Sequence, residues 1–405
     1  MNGLIELCLF GQRRPDKASG AHEYAQDLAS GNDSDRLMPT RMIVVGGGLF
    51  GVWSSLVLAS RGSDVILLEQ SDALLSRAST VNQARLHTGL HYPRSLSTAK
   101  RALANFERFC AEFPDAIHRF DQIYAVARHG SSTTGVGYER FIDRLGISAH
   151  RLPVSRWFNE SLIEAAWRVE EPSFDVNAVL EALTHRIATS HRITVRTGVV
   201  ATGARVTGSG VSVQLRNGEL MSADGLVIAT YAGINAFRRT LDLEPLPLAH
   251  EVAEVTLGRV DNRLEGTGFT VMDGQYWSMM PYGHSGRVSL TSVGLTPSRR
   301  ATGLPVFSCQ DRREDCSPIA LADCSTCDER PRSSRRHKVQ QVSAYLKASD
   351  AFTPESSVWT IKTILKTADV DDARPTVVLK EPCGPVWTVF SGKVSTIFDI
   401  ERGLA

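Results

Sequence analysis

The stretch from Met42 to Glu69 constrains this chain more than any other. It reads as a short apolar strand (Met42–Val45), a glycine-rich turn, a helical run over residues 49–62, a second strand (Asp64–Leu68) and a closing acid, Glu69. The turn IVVGGGLFG holds G-x-G-x-x-G at Gly46, Gly48 and Gly51. Alone that pattern is weak. Flanked by strand, helix, strand and acid, it marks a βαβ unit that binds a dinucleotide. Gly46 permits a tight turn, Gly48 lets a pyrophosphate approach the backbone, and Gly51 lets helix and strand pack closely. The helix start offers unpaired N–H groups and partial positive charge to the phosphates. Glu69, 18 residues after Gly51, is placed to accept hydrogen bonds from an adenosine ribose. An arginine there would point to NADP instead. A glycine turn without a ligand is the bland alternative, and the complete context weighs against it.

Residues 42–60 carry no charge and are nearly long enough to span a bilayer. Three consecutive glycines after a β-branched strand argue for a buried strand–turn–helix, so no integral membrane segment is expected. The net charge of +1 gives no electrostatic reason to expect nucleic acid or an anionic surface as partner. Seven cysteines, an odd number, with no convincing signal peptide, predict free thiols and a cytoplasmic protein. Cys324-x-x-Cys327 has zinc-like spacing, but Cys309 and Cys316 are too far apart to complete a usual knuckle, and no metal is expected. No P-loop and no G-x-S-x-G elbow support an NTPase or a hydrolase.

Helices are predicted near 96–112, 136–148 and 175–190, the last with Asp175 as N-cap. Strands are predicted at 120–129, 193–201, 204–215 and 225–230, and an antiparallel sheet over about 250–295. Two strands and a short helix close the chain over 374–404. Residues 1–40 lack a sustained period, and Met38 or Met42 offers an alternative start. Residues 298–338 are rich in Arg, Ser, Pro and Cys and fit either a flexible insertion or a stretch read in a shifted frame.

FAD and NAD both use such a βαβ unit. The position of the unit at the start of the folded chain favours FAD. So does GLVIATYAGIN (225–235), a buried strand and small-residue turn containing Thr230. It resembles the motif with which two-dinucleotide-domain flavoproteins complete their FAD site. Val199 and Val200 precede it at an interval that suits the adenine.

A polar cluster over 78–99 holds Asn82, Gln83, Arg85, His87, His91, Tyr92 and Arg94. Asn82, His87, Gly89, Tyr92, Pro93, Ser95 and Leu96 fall in the order of a flavin-covering pattern. The segment thereby resembles the D-amino-acid oxidase (DAO) superfamily, most closely its L-2-hydroxyglutarate dehydrogenases. Arg85 stands where those relatives are small and apolar, and His91 replaces an aromatic, so the substrate stays open. The resemblance covers roughly 42–295 and 340–400. It implies an α/β fold: a Rossmann-like FAD-binding domain of glutathione-reductase type with an inserted antiparallel-sheet substrate domain. It also implies a flavin contact for Asn82. Ser391–Gly392–Lys393 echoes the family's final helix start, which implies that Gly392 and Lys393 lie beside the flavin pyrimidine. Tyr276, Tyr282 and His284 fall in the substrate sheet, with Tyr276 as a catalytic candidate.

The expected division follows. Residues 1–40 are a disordered extension. Residues 41–120 and 171–240 form two parts of the FAD-binding domain, and 121–170 and 241–297 two parts of the substrate domain. Residues 298–338 are the irregular segment, and 339–405 hold a substrate-domain helix and the C-terminal FAD-binding part. The expected chemistry is hydride transfer to flavin N5 from a CH–NH or CH–OH bond of a small amino or 2-hydroxy acid, or a related amine. Arg85 would pair the carboxylate and His87 would take the heteroatom proton. Oxygen or a quinone is the expected electron acceptor. A flavin-fold scaffold without activity and a nicotinamide-dependent dehydrogenase are the alternatives.

Overall fold

The computed structural model describes residues 40–366 and 376–404. Expectations for residues 1–39 and for Arg374–Pro375 lie outside those residues.

Two large sheets carry the chain. In the first, β1 (Arg41–Val45) lies between Gly225–Ile228 and β2 (Asp64–Leu68), parallel to both. Val386–Phe390 and Ile193–Arg196 extend this parallel core, and Val377–Lys380 adds an antiparallel edge. The sequence of β1 accounts for its central place. Met42 and Val44 face one apolar layer with Leu49, Val52, Trp53 and Val57 of α1 (Leu49–Ser60). Ile43 and Val45 face the opposite layer, with Val211, Val213 and Leu215 of a three-stranded meander. A strand apolar at every position from Met42 to Val45 is what burial on both faces demands. Helix Val176–Thr189 and α2 (Leu96–Glu112) complete the helical layer, and the Asp175 carboxylate caps the former by accepting from Ala178 N–H.

The second sheet has nine strands. Its longest are Leu248–Val260 and Phe352–Leu365, paired antiparallel along their full length. Ile163–Val169 and Asp121–Ala127 form its far side, the latter running parallel to Thr267–Met272. The sheet is thus antiparallel except at that one pair. The strand 352–365 lies outside the predicted 250–295 sheet. The run 204–215 is a hairpin of two strands, Ala201–Thr207 and Gly210–Leu215, and 267–280 likewise turns back between Met272 and Trp277.

The segment 298–338 takes regular structure at both ends, as strand Pro297–Thr302 and helix Arg335–Tyr345. Between them, Phe307 and Leu321 pack against Trp359 and Ile361, with Cys309, Cys316 and Cys324 alongside. Lys338 and Glu254, both fully buried, pair at 3.0 Å and fasten the helix to the sheet. Removing one partner of such a pair costs about 3–5 kcal/mol.

Candidate active site

One cavity of about 490 Å³ runs from the glycine turn, between the two sheets, to Arg85 and Ser278. At its first end the turn is shaped by contact. A Cβ on Gly51 would lie 1.8 Å from the carbonyl oxygen of Gly46, and one on Gly46 would lie 2.5 Å from that of Ala229. Gly48 faces the cavity, with only Ser79 Oγ within 4 Å of such a Cβ. Leu49 N–H at the start of α1 donates to Ser79 Oγ at 3.1 Å.

Glu69 is buried and lines the cavity beside Val199 and Val200. Its two carboxylate oxygens accept from Gly47 N–H and Ser71 N–H, each at 2.7 Å. A carboxylate has about four lone-pair sites, so acceptor capacity remains for ribose hydroxyls. Thr230 also lines the cavity, and its buried Oγ1 has no partner among the described residues. A buried hydroxyl at a cavity wall calls for a ligand or water partner. Arg77, Ala84 and Tyr231 line the same cavity with φ of 65°, 53° and 49°. Three non-glycine residues in the left-handed region around one cavity are the backbone strain expected of a ligand site. These features of the turn and cavity wall fit a bound dinucleotide.

Asn82 lines the cavity but spends its amide locally. Its Nδ2 donates to Ser79 carbonyl at 3.0 Å and its Oδ1 accepts from Ala84 N–H at 2.7 Å, which shapes the loop. Gly392 and Lys393 line the wall after strand Val386–Phe390, and Lys393 Nζ lies 4.0 Å from the centre of the Tyr92 ring. The element that follows opens as a 3₁₀ turn, Val394–Asp399, rather than a long helix.

The polar end is a buried network around a residue that sequence reasoning missed, Glu171. Arg85 Nε lies 3.8 Å and His87 Nδ1 3.5 Å from Glu171 Oε1, and the Tyr124 hydroxyl donates to the same oxygen at 2.5 Å. Thr88 N–H and its hydroxyl meet Oε2, both at 3.2 Å. Arg85 Nη2 donates to Thr270 Oγ1 at 2.7 Å and to Ser278 Oγ, while Nη1 lies 3.4 Å from His91 Nδ1. His87 stacks on His91 at 4.9 Å and meets Tyr92 edge-on at 5.2 Å. Burial would raise the Glu171 carboxyl, but the His87 contact, the Arg85 charge and the Tyr124 hydroxyl outweigh it and hold it below the ordinary value. Burial pushes His87 down to about 4, against the raising effect of Glu171. The imidazole is therefore neutral near pH 7, with its acceptor nitrogen unprotonated, but is a weaker base than an ordinary histidine.

Three expected substrate contacts turn away. The Tyr276 hydroxyl donates to His129 carbonyl and its ring packs on Tyr345, so although Tyr276 touches the cavity wall its hydroxyl is committed elsewhere. Ser278, not Tyr276 or Trp277, is the residue of this segment that meets Arg85. The Tyr282 hydroxyl donates to Thr80 carbonyl, and His284 sits against His118 and Asp175. Among the described residues no cluster of three or more His, Cys, Asp or Glu is arranged to hold a metal. No helix among them is long and apolar enough to cross a membrane.

A Rossmann-type cradle joined through one cavity to a sheet-backed polar pocket is an architecture suited to a dinucleotide-dependent oxidoreductase. The chain belongs to the FAD-dependent oxidoreductase family DAO, whose model matches residues 41–313. The cofactor of that family is FAD rather than a nicotinamide. The chain is similar in fold to glycine oxidase from Geobacillus kaustophilus, with a TM-score of 0.63 and 15% identity over 90% of this chain and 92% of that one. It is likewise similar to FAD-bound L-alpha-glycerophosphate oxidase from Mycoplasma pneumoniae, with a TM-score of 0.65 and 13% identity over 91% and 94%. In sequence it is 32% identical over 111 residues to the FAD-dependent monooxygenase FPY4 of Fusarium mangiferae, covering 27% of this chain and 30% of that protein. The chain thus matches under a third of the length of such curated relatives.

Proposed function

We propose that this chain oxidises a CH–NH or CH–OH bond of a small amino or 2-hydroxy acid, or a related amine. The observation that carries the reading is the Arg85–Glu171–His87 cluster at the far end of the cavity that begins at the glycine turn. Bound FAD supplies the hydride acceptor, N5. The chain's own residues do the rest. Arg85 orients the substrate carboxylate with the guanidinium face that now meets Thr270 and Ser278. His87 accepts the proton from the substrate heteroatom, and the Glu171 carboxylate stabilises the resulting imidazolium. Gly392 and Lys393 line the cavity, and Lys393 with the Gly392 backbone would offer positive charge to the negative charge that a bound flavin gains. Gly46, Gly48, Gly51, Glu69, Val200 and Thr230 hold the dinucleotide, and Asn82 shapes its covering loop. In domain terms, 41–120, 171–240 and the C-terminal strands hold the cofactor, and the nine-stranded sheet holds the substrate.

Similarity to a glycine oxidase supports an amine substrate. Similarity to a glycerophosphate oxidase supports an alcohol. Anaerobic mixing of the FAD-loaded protein with a panel of amino and 2-hydroxy acids decides between them, because only a substrate bleaches the flavin. His87→Ala is expected to cripple oxidation of a hydroxy acid far more than that of an amine, which can lose its proton to solvent. Equal and negligible loss on both would remove His87 from the mechanism. Reoxidation by oxygen against a quinone identifies the acceptor.

A further inference from the structure

His87 borders two cavities. Besides the large one, it lines a notch of about 30 Å³ between α2 and the segment after Gly392, together with Thr98, Arg101, Asn105, Lys393 and Thr396. Arg101 is exposed and Asn105 half-buried, so the notch reaches the protein surface on the α2 side. Its volume suits a water molecule, and its walls offer the two to four polar partners a held water needs.

The proton that the proposed mechanism puts on His87 needs a way out. Glu171 is a dead end: it is fully buried, and its other contacts, Arg85, Tyr124 and Thr88, are buried too. The ring faces and edge that meet His91 and Tyr92 are closed. With Nδ1 turned to Glu171, Nε2 is the nitrogen left to meet the cavities. FAD and substrate would fill the large one during turnover. We infer that the notch is the proton exit: a water held between His87, Thr98 and Asn105 takes the proton from the imidazolium and passes it to bulk solvent beside Arg101. No electron moves in this step; one N–H bond breaks, one O–H bond forms, and His87 returns neutral. The charged groups facing His87 are Glu171, Arg85 and Lys393, with His91 stacked on it and Arg101 across the notch. The cations at the notch disfavour a trapped imidazolium and so favour release.

This rests on the reading of His87 as the base. The full-length, FAD-loaded protein serves for both tests. A high-resolution crystal structure is expected to show an ordered water within hydrogen-bond reach of His87 in the notch, and to lose it in Asn105→Leu. With the acid that bleaches the flavin, and dichlorophenolindophenol as acceptor, Asn105→Leu and Thr98→Val are expected to keep first-turnover bleaching within about twofold. Steady-state turnover should fall several-fold, with a larger solvent isotope effect, and Thr98→Ser should restore it. A dry notch in the wild type, or wild-type turnover and isotope effect in both filled variants, overturns the exit alone. Unimpaired first turnover in His87→Ala overturns the base assignment, and the exit with it. If a filled variant fails to fold, the wild-type water and the other variant still decide.

Discussion

Glu171 Oε1 stands 3.5 Å from His87 Nδ1 and takes a 2.5 Å hydrogen bond from the Tyr124 hydroxyl, with no side-chain exposure of its own. The carboxylate is thus the fixed negative charge behind a neutral imidazole. Glu171→Gln keeps the shape and removes the charge. An imidazolium formed at His87 then has no counter-ion, and kcat is expected to fall roughly 10²-fold. The pH below which activity is lost should move lower still, because Glu171 is what raises His87. A pH–rate profile of flavin reduction checks both; an unchanged rate and profile would separate Glu171 from the chemistry.

His87 also leaves a mark on stability. It is held at about 4 in the folded chain, against an ordinary 6.5. Between those values the unfolded chain binds a proton that the folded chain does not, so folding weakens as pH falls through that window. The contribution is complete above 6.5 and amounts to at most about 3 kcal/mol. His87→Gln lacks it. Its melting temperature should decline less steeply from pH 6.5 to 4 than the wild type's.

Arg85 and Glu171 are expected to be strongly non-additive. Arg85→Met alone leaves a buried carboxylate without its cation and should cost about 3–5 kcal/mol. Arg85→Met with Glu171→Gln removes both charges and should cost less than the two singles summed, by about 1 kcal/mol or more. Urea unfolding of the four proteins measures the difference. Strict additivity would mean that the 3.8 Å approach contributes nothing.

Gly51→Ala places a methyl 1.8 Å from the Gly46 carbonyl oxygen, and both sides of that contact are backbone. The turn must open, at a cost of about 1–3 kcal/mol. Where that cost falls on the phosphate cradle, FAD affinity drops roughly tenfold or more. Flavin fluorescence titration of the apoprotein reads it directly.

Tyr276→Phe is expected to leave flavin reduction near the wild-type rate and to lower stability by about 1 kcal/mol, the worth of one hydrogen bond to His129 carbonyl. A large loss of kcat in stopped flow would return Tyr276 to the catalytic group.

The cofactor half of this enzyme was legible because its signals are local. Gly46, Gly48, Gly51 and Glu69 lie within one βαβ unit, and the two-faced apolar run of β1 needs no knowledge of distant residues. Residues 96–112 read as a helix and are one, because helical spacing is likewise local. The strand Phe352–Leu365 was hidden by its opening, FTPESS, where a proline and two serines interrupt the alternation. Pairing with Leu248–Val260 imposes the strand regardless. Glu171 was missed because Glu170–Glu171–Pro172 reads as a solvated turn. What makes it a buried counter-ion is contact with residues 47 or more positions earlier, to which no spacing rule reaches. Tyr276 lines the cavity, but its hydroxyl is taken up by His129 carbonyl, 147 positions earlier, a contact that residue type alone does not reveal.

Arg85 belongs to the loop after β2, yet it donates to Thr270 and Ser278, 185 and 193 residues further along. A ribosome therefore finishes the nucleotide cradle's first strands and glycine turn long before it makes the partners that aim Arg85. The capacity to hold FAD and the capacity to use it arrive at different moments of synthesis. A chain halted between Glu69 and Thr270 would carry the beginnings of the former with none of the latter.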